Sequence, residues 1–143
     1  MTSDERMLCW VLRVIGGAAL LAIPCAVMPY TWMDGVHRFL GMGALPTEPI
    51  VGYLARSTSA FYGLLGGLFW MVSYDLRRYR PIALFLGGCV VVFGFFLIAV
   101  DWVEGLPWFW RLWEGPFSVA FGAAILWLAR RVKTLESEAR DSG

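Results

Sequence analysis

Histidine occurs once in this chain, at His37, and cysteine three times, at Cys9, Cys25 and Cys89, with no CxxC pair. A protein-held haem or zinc ion needs more ligands than these. An intrachain bis-histidine haem is excluded, and neither a metal nor another cofactor is called for. Cys9 and Cys25 fall near opposite ends of one apolar run, roughly 24 Å apart if that run is helical, so they cannot bridge each other. The three thiols read as small apolar residues. Charge is scarce as well. Only 16% of residues are Asp, Glu, Lys or Arg, and the net charge is +1, which leaves no basic footprint for nucleic acid. There is no P-loop, GxSxG, Cys/His pair or HExxH. Hydrolytic chemistry has no visible machinery, and the reading leans away from an enzyme.

Four apolar runs fill most of what remains, and the mean hydropathy is +0.63. Met7 to Met28 contains one charge, Arg13. Pro49 to Tyr74 contains one, Arg56. Pro81 to Val100 contains none. The last run, Gly115 to Ala129, is short, but Arg130 and Arg131 can snorkel and extend it. An apolar run of about 18 or more residues can cross the hydrocarbon core as a helix. The expected fold is therefore an all-α membrane protein, a single domain over residues 1–135. Four transmembrane helices, at about 6–28, 49–74, 81–101 and 115–132, would form an antiparallel bundle, followed by a polar tail at 136–143. The first run is longer than a usual signal core and lacks a small-x-small cleavage site near Pro24, so it is read as a retained helix with a kink at Pro24.

Loop chemistry supplies the ends. Thr47-Glu48-Pro49 suits a helix start, and Pro81 and Gly115-Pro116 are read the same way. Two aromatic-rich segments, Tyr30 to Pro46 and Trp102 to Glu114, are expected as short interfacial helices or belts on the outer side. Arg6, Arg77, Arg78, Arg80, Arg130, Arg131, Lys133 and Arg140 lie at the termini and the middle loop, against only Arg38 and Arg111 in the other two loops. The positive-inside rule places both termini and the middle loop in the cytoplasm. Trp32-Met33-Asp34-Gly35-Val36 aligns with Trp102-Val103-Glu104-Gly105-Leu106. That similarity fits either a parallel internal repeat or two interfacial turns drawing on the same residues.

Arg56 stands about 10 Å inside its helix, where a charge is costly and usually faces protein or a wet cavity. Gly52, Tyr53, Ser59, Ala60, Gly63 and Gly67 share its face. Gly63 and Gly67 form a GxxxG pair suited to helix packing. Arg56 is expected to point into the bundle, with Asp101 as its ion-pair partner. Alternatively, Arg56, Tyr53, Ser59, Tyr62, Asp101 and Trp102 would line a ligand-binding pocket open to the outer side. Arg13 is expected to pair with Asp75, as a second structural ion pair. A transport reading would need an ionisable path past Cys89 and Gly94.

Tyr53-Leu54-Ala55-Arg56-Ser57, Ala60-Phe61-Tyr62-Gly63 and Asp75-Leu76-Arg77-Arg78-Tyr79-Arg80-Pro81 resemble uncharacterised bacterial four-helix inner-membrane proteins. The layout, an arginine early in a helix with glycines one and two turns later, is similar to DoxX-like small membrane proteins. The resemblance implies a multi-pass protein of the bacterial inner membrane and carries over no catalytic residue. The expected role is a small accessory or structural subunit whose partners are the lipid bilayer and another copy or another membrane protein. The alternative is a binder of a lipid, quinone or small anionic ligand, anchored by Arg56.

Overall fold

The computed structural model describes residues 1–132; the polar tail expected at 136–143 lies outside the described residues. The described chain is all helical: α1 (Ser3–Leu20), α2 (Ile23–Val27), α3 (Tyr30–Phe39), α4 (Pro49–Tyr74), α5 (Arg80–Val103) and α6 (Trp108–Arg131). Three segments are long and apolar enough to cross a membrane, namely Ser3–Val27, Arg80–Val103 and Trp108–Arg131. By length and composition this is a multi-pass membrane protein. Large apolar side chains such as Leu64, Phe85 and Val92 are exposed, an arrangement that suits lipid and not water. At 26 residues α4 is also long enough, but Arg56-Ser57-Thr58-Ser59 interrupts its apolar character.

The first expected helix is divided in two. Leu21 N–H bonds back to the carbonyls of Gly17 and Ala18, and Ala22 N–H to that of Ala19, so the last turn tightens. Pro24, with no N–H to donate, cannot continue the ladder and instead sits in the first turn of α2. The fourth expected helix begins earlier than 115. Residues from Trp108 onward are already helical, with Pro107 as cap and Pro116 inside the helix. The segment 102–114 is therefore not an interfacial helix of its own: it is the end of α5, a turn at Gly105 (φ 68°) and the opening turns of α6. Contacts along the helix support those turns. Trp110 Nε1 donates to Glu114, and the Trp113 and Phe117 rings lie 4.2 Å apart. The two aligned pentapeptides consequently differ in form, because Gly35 is helical whereas Gly105 turns the chain.

The chain falls into two compact units, one of Met1–Val14 with the described residues from Trp70 onward, the other of Ile15–Phe69. In the first, Leu8, Leu12, Val72, Leu76, Ala83, Leu86, Ile125, Leu128 and Val132 form the buried core. α5 and α6 pack as an antiparallel pair along a seam of glycines. A Cβ at Gly94 would lie 2.7 Å from Val119 N and 2.9 Å from Gly115 O, and one at Gly122 would lie 2.7 Å from Val91 N and 2.8 Å from Gly87 O. The two backbones are thus in direct contact, which only glycine allows. In the second unit, Gly63 meets Ile23, and a Cβ at Gly66 would lie 2.7 Å from Gly16 O. The close-approach partner of Gly63 on α4 is therefore Gly66, not Gly67, whose Cβ would meet open space. The reason is register: Gly66 faces α1 and Gly67 is rotated off that contact.

Gly122→Val should destabilise the α5–α6 pair by about 1–3 kcal/mol through overpacking, measured by detergent denaturation followed by helicity. Gly88→Val, where a Cβ meets nothing within 4 Å, should cost far less. Equal effects of the two would show that the seam is not a tight contact.

Candidate functional site

Most charged groups of the first unit gather at the end rich in arginine, and most of these are engaged. Thr2 and Glu5 form a capping box: Glu5 N–H donates to Thr2 Oγ1 at 3.2 Å, and Thr2 N–H donates to Glu5 Oε2 at 2.8 Å. The other Glu5 oxygen accepts Arg77 Nε at 2.9 Å, and the whole residue is only 3% exposed. Asp4 lies 3.7 Å from Arg131. Arg80 donates to the carbonyls of Ala129 (2.8 Å) and Arg130 (3.3 Å), covering the bare C-terminal end of α6. Arg13 Nε donates to Ser73 Oγ at 3.2 Å, and its guanidinium lies over the rings of Trp70 and Tyr74 at 5.4 and 5.7 Å. Among the described residues no ion pair joins Arg13 to Asp75, whose Oδ1 accepts the Arg78 N–H and holds the middle turn. The reach of α1 explains this. Arg13 comes level with the last turn of α4 before the chain arrives at Asp75.

The opposite end of the same unit carries Asp101, 1% exposed, with no hydrogen-bond partner for Oδ2 among the described residues. Because Gly94 faces Val119 and Gly115 faces Ile98, the next turn sets Asp101 level with the 108–112 stretch of α6. There Arg111 buries an unpaired Nε and places its guanidinium 4.8 Å above the Trp102 ring. A groove of about 430 Å³ lined by Phe109, Trp110, Trp113 and Glu114 lies on this part of α6. The position named for a transport path, Gly94, is filled by the α6 backbone, while Cys89 faces outward.

The second unit holds Arg56. It is exposed and not turned inward, and Nη2 donates to the Met28 carbonyl at 3.1 Å. Met28 ends α2 in an extended conformation, which frees that carbonyl. Tyr53, one turn before Arg56, is 66% exposed. Ser59 donates back to the Ala55 carbonyl at 2.7 Å and Ser57 to that of Leu54 at 3.2 Å, so both hydroxyls serve α4 itself. Tyr62 lies on the same helix. Asp101 and Trp102 belong to the other unit. Of the six residues proposed for one site, four therefore share α4.

Between α3 and α4 the chain is tied by side chains. Asp34 accepts the Leu45 N–H at 2.8 Å and Arg38 Nε at 2.9 Å, the Tyr30 hydroxyl meets the carbonyls of Leu45 (2.6 Å) and Pro46 (2.7 Å), and His37 Nδ1 lies 3.0 Å from Gly43 O. The Leu45 amide, then Arg38, hold the Asp34 carboxyl below its ordinary range. Burial, then the charges of Asp34 and Glu48, raise the Tyr30 hydroxyl. Among the participants that the sequence reading missed are Glu5, Arg80, Met28 and Arg111. Only Glu5 left a readable signal, the Thr2-Ser3-Asp4-Glu5 box. No family model matches the sequence, and no curated protein or solved structure matches it.

Glu5→Ala should cost about 1.5–3 kcal/mol, the worth of a charged hydrogen bond lost at a buried acceptor, whereas Asp4→Ala, at a half-exposed pair, should cost at most about 1 kcal/mol. Detergent or urea unfolding would read both, and the reverse order would contradict the clamp. Because the Asp34 pKa is lowered, its tie to Leu45 is complete above the ordinary carboxyl value of about 3.9 and is lost as pH falls through the lower folded value. The Leu45 amide resonance should follow that titration, and the titration should vanish in Asp34→Asn.

Proposed function

We propose that the protein is a small accessory or structural subunit of a bacterial inner membrane. In this reading α4 is the fourth span, beside the three more apolar segments, and both termini and the middle turn face the cytoplasm. α3 lies in the outer interface, with Trp32, Val36 and Phe39, exposed at helical spacing, directed into the lipid. The uneven distribution of arginine supports the orientation, and the even number of spans keeps the termini together.

One observation carries the functional part of the reading. Five charged groups at the arginine-rich end are occupied in holding helix ends: Glu5 with Arg77, Asp4 with Arg131, and Arg80 on the α6 carbonyls. What the fold presents outward is largely apolar. Phe85, Cys89, Val92 and Phe96 recur at offsets of four, three and four, and all four are exposed. They form a continuous stripe on α5 with the spacing of a helix-packing seam. A second reading, a ligand site anchored by Arg56, is favoured by that residue's exposed guanidinium, whose one protein partner among the described residues is a neutral carbonyl.

Mild-detergent extraction with native mass spectrometry tests the subunit reading. An assembly larger than the single 16.0 kDa chain is expected, with Val92→Arg shifting it toward the single chain while helicity is kept. A wild type that is monomeric throughout, with no second polypeptide, would sink the reading.

A further inference from the structure

Arg56 sits about seven residues, or roughly 10 Å, from the start of α4. A helical side chain leans toward the N-terminus of its own helix, so this one leans back over Gly52 and Tyr53, toward the outer end. Its hydrogen bond to the Met28 carbonyl gives an independent measure of level. Met28 directly follows Val27, the last residue of an apolar segment long enough to cross the bilayer. The guanidinium therefore lies where the hydrocarbon core gives way to head groups.

Among the described residues no carboxylate pairs with this charge. Among the described residues the one recorded partner is the Met28 carbonyl, which takes one of five N–H donors. Arg38, on the same side of the chain, differs because Asp34 neutralises it at 2.9 Å. Arg13 differs because Ser73 and two aromatic faces cover it. Glu48 lies two turns above Arg56, about 12 Å along the axis, too far for a direct pair. The space beneath the leaning side chain is open: a Cβ at Gly52 would meet nothing within 4 Å. The Tyr53 hydroxyl, on the same face, has no protein partner among the described residues and can donate.

We propose that Gly52, Tyr53 and Arg56 form a binding site for the phosphodiester of an anionic phospholipid in the outer leaflet. The guanidinium fork would donate to two phosphate oxygens and Tyr53 to one, in the space over Gly52. A lipid with net negative charge is required, because a zwitterionic head group brings its own cation and would leave Arg56 uncompensated. The proposal rests on α4 being a span with its N-terminus outside.

The test is native mass spectrometry of the full chain in mild detergent. It would be titrated with phosphatidylglycerol, with phosphatidylcholine of the same acyl chains, and with inorganic phosphate. Wild type should prefer phosphatidylglycerol by about tenfold, the worth of one charged hydrogen bond. Arg56→Gln should abolish the preference, and Arg38→Gln should keep it. Gly52→Leu should also abolish it. A Cβ there meets nothing within 4 Å and leucine improves helix propensity; unchanged helicity of the variant separates loss of the site from a fold defect. A preference retained in both Arg56→Gln and Gly52→Leu would overturn the site. Displacement of the lipid by inorganic phosphate would overturn the lipid assignment in favour of a free anion. Labelling Glu48→Cys in whole cells with a membrane-impermeant maleimide tests the span separately. Absence of label there, with label at Tyr79→Cys, would refute the orientation and not the affinity.

Discussion

Backbone contact between α5 and α6 is the constraint on which the larger unit depends. Apolar side chains gain little from leaving lipid for a protein interior of the same polarity, so helices in a membrane associate mainly by close packing. Gly87 and Gly94 on one helix and Gly115 and Gly122 on the other bring the chains near enough for main-chain atoms to touch. That contact sets the register of the hairpin. The register in turn brings Arg80 under the last carbonyls of α6 and Asp101 to the level of Arg111. The short turn around Gly105 only has to join two helices already aligned.

Charge is managed differently at the two ends of the first unit. At the arginine-rich end each acid of α1's first turn meets a base, and Arg80 meets bare carbonyls, so the positive excess there also fastens helix ends. At the other end Asp101 is buried and Arg111 half-buried, and Asp101 Oδ2 and Arg111 Nε lack hydrogen-bond partners among the described residues. Arg56, in the second unit, has a carbonyl alone as partner among the described residues. A positive charge that those residues leave without a carboxylate is open to a counter-charge from its surroundings.

Much of the architecture was legible because hydropathy and loop chemistry report it directly. Pro49 and Tyr74 bound α4 as expected, and the basic middle loop leads into Pro81 within the first turn of α5. Pro116 misled, because a proline that opens a helix and one tolerated inside it look alike in sequence. What distinguishes them is support from neighbours, here the Trp110–Glu114 bond and the seam at Gly115. Gly66 and Gly67 were indistinguishable for a similar reason: a GxxxG spacing names a face, while the partner's position decides which glycine is used. The site residues were harder still. Arg56 was visible as an anomaly, but its carbonyl partner at Met28 exists only because Pro24 and Pro29 break the chain there into short helices.

The position of Pro116 has a mechanical consequence. It is the ninth residue of α6 and cannot donate to the Leu112 carbonyl. The turns before it carry Trp108, Phe109, Trp110 and Trp113, which prefer a fixed depth at the membrane surface. The turns after it are locked to α5 through Gly122. A bilayer that thins or thickens displaces the tryptophans, and the missing hydrogen bond gives α6 a soft joint at which to bend. Mismatch with the membrane is then expected to be taken up as a change of angle in the first turn of α6, ahead of the interlocked seam that begins at Gly115.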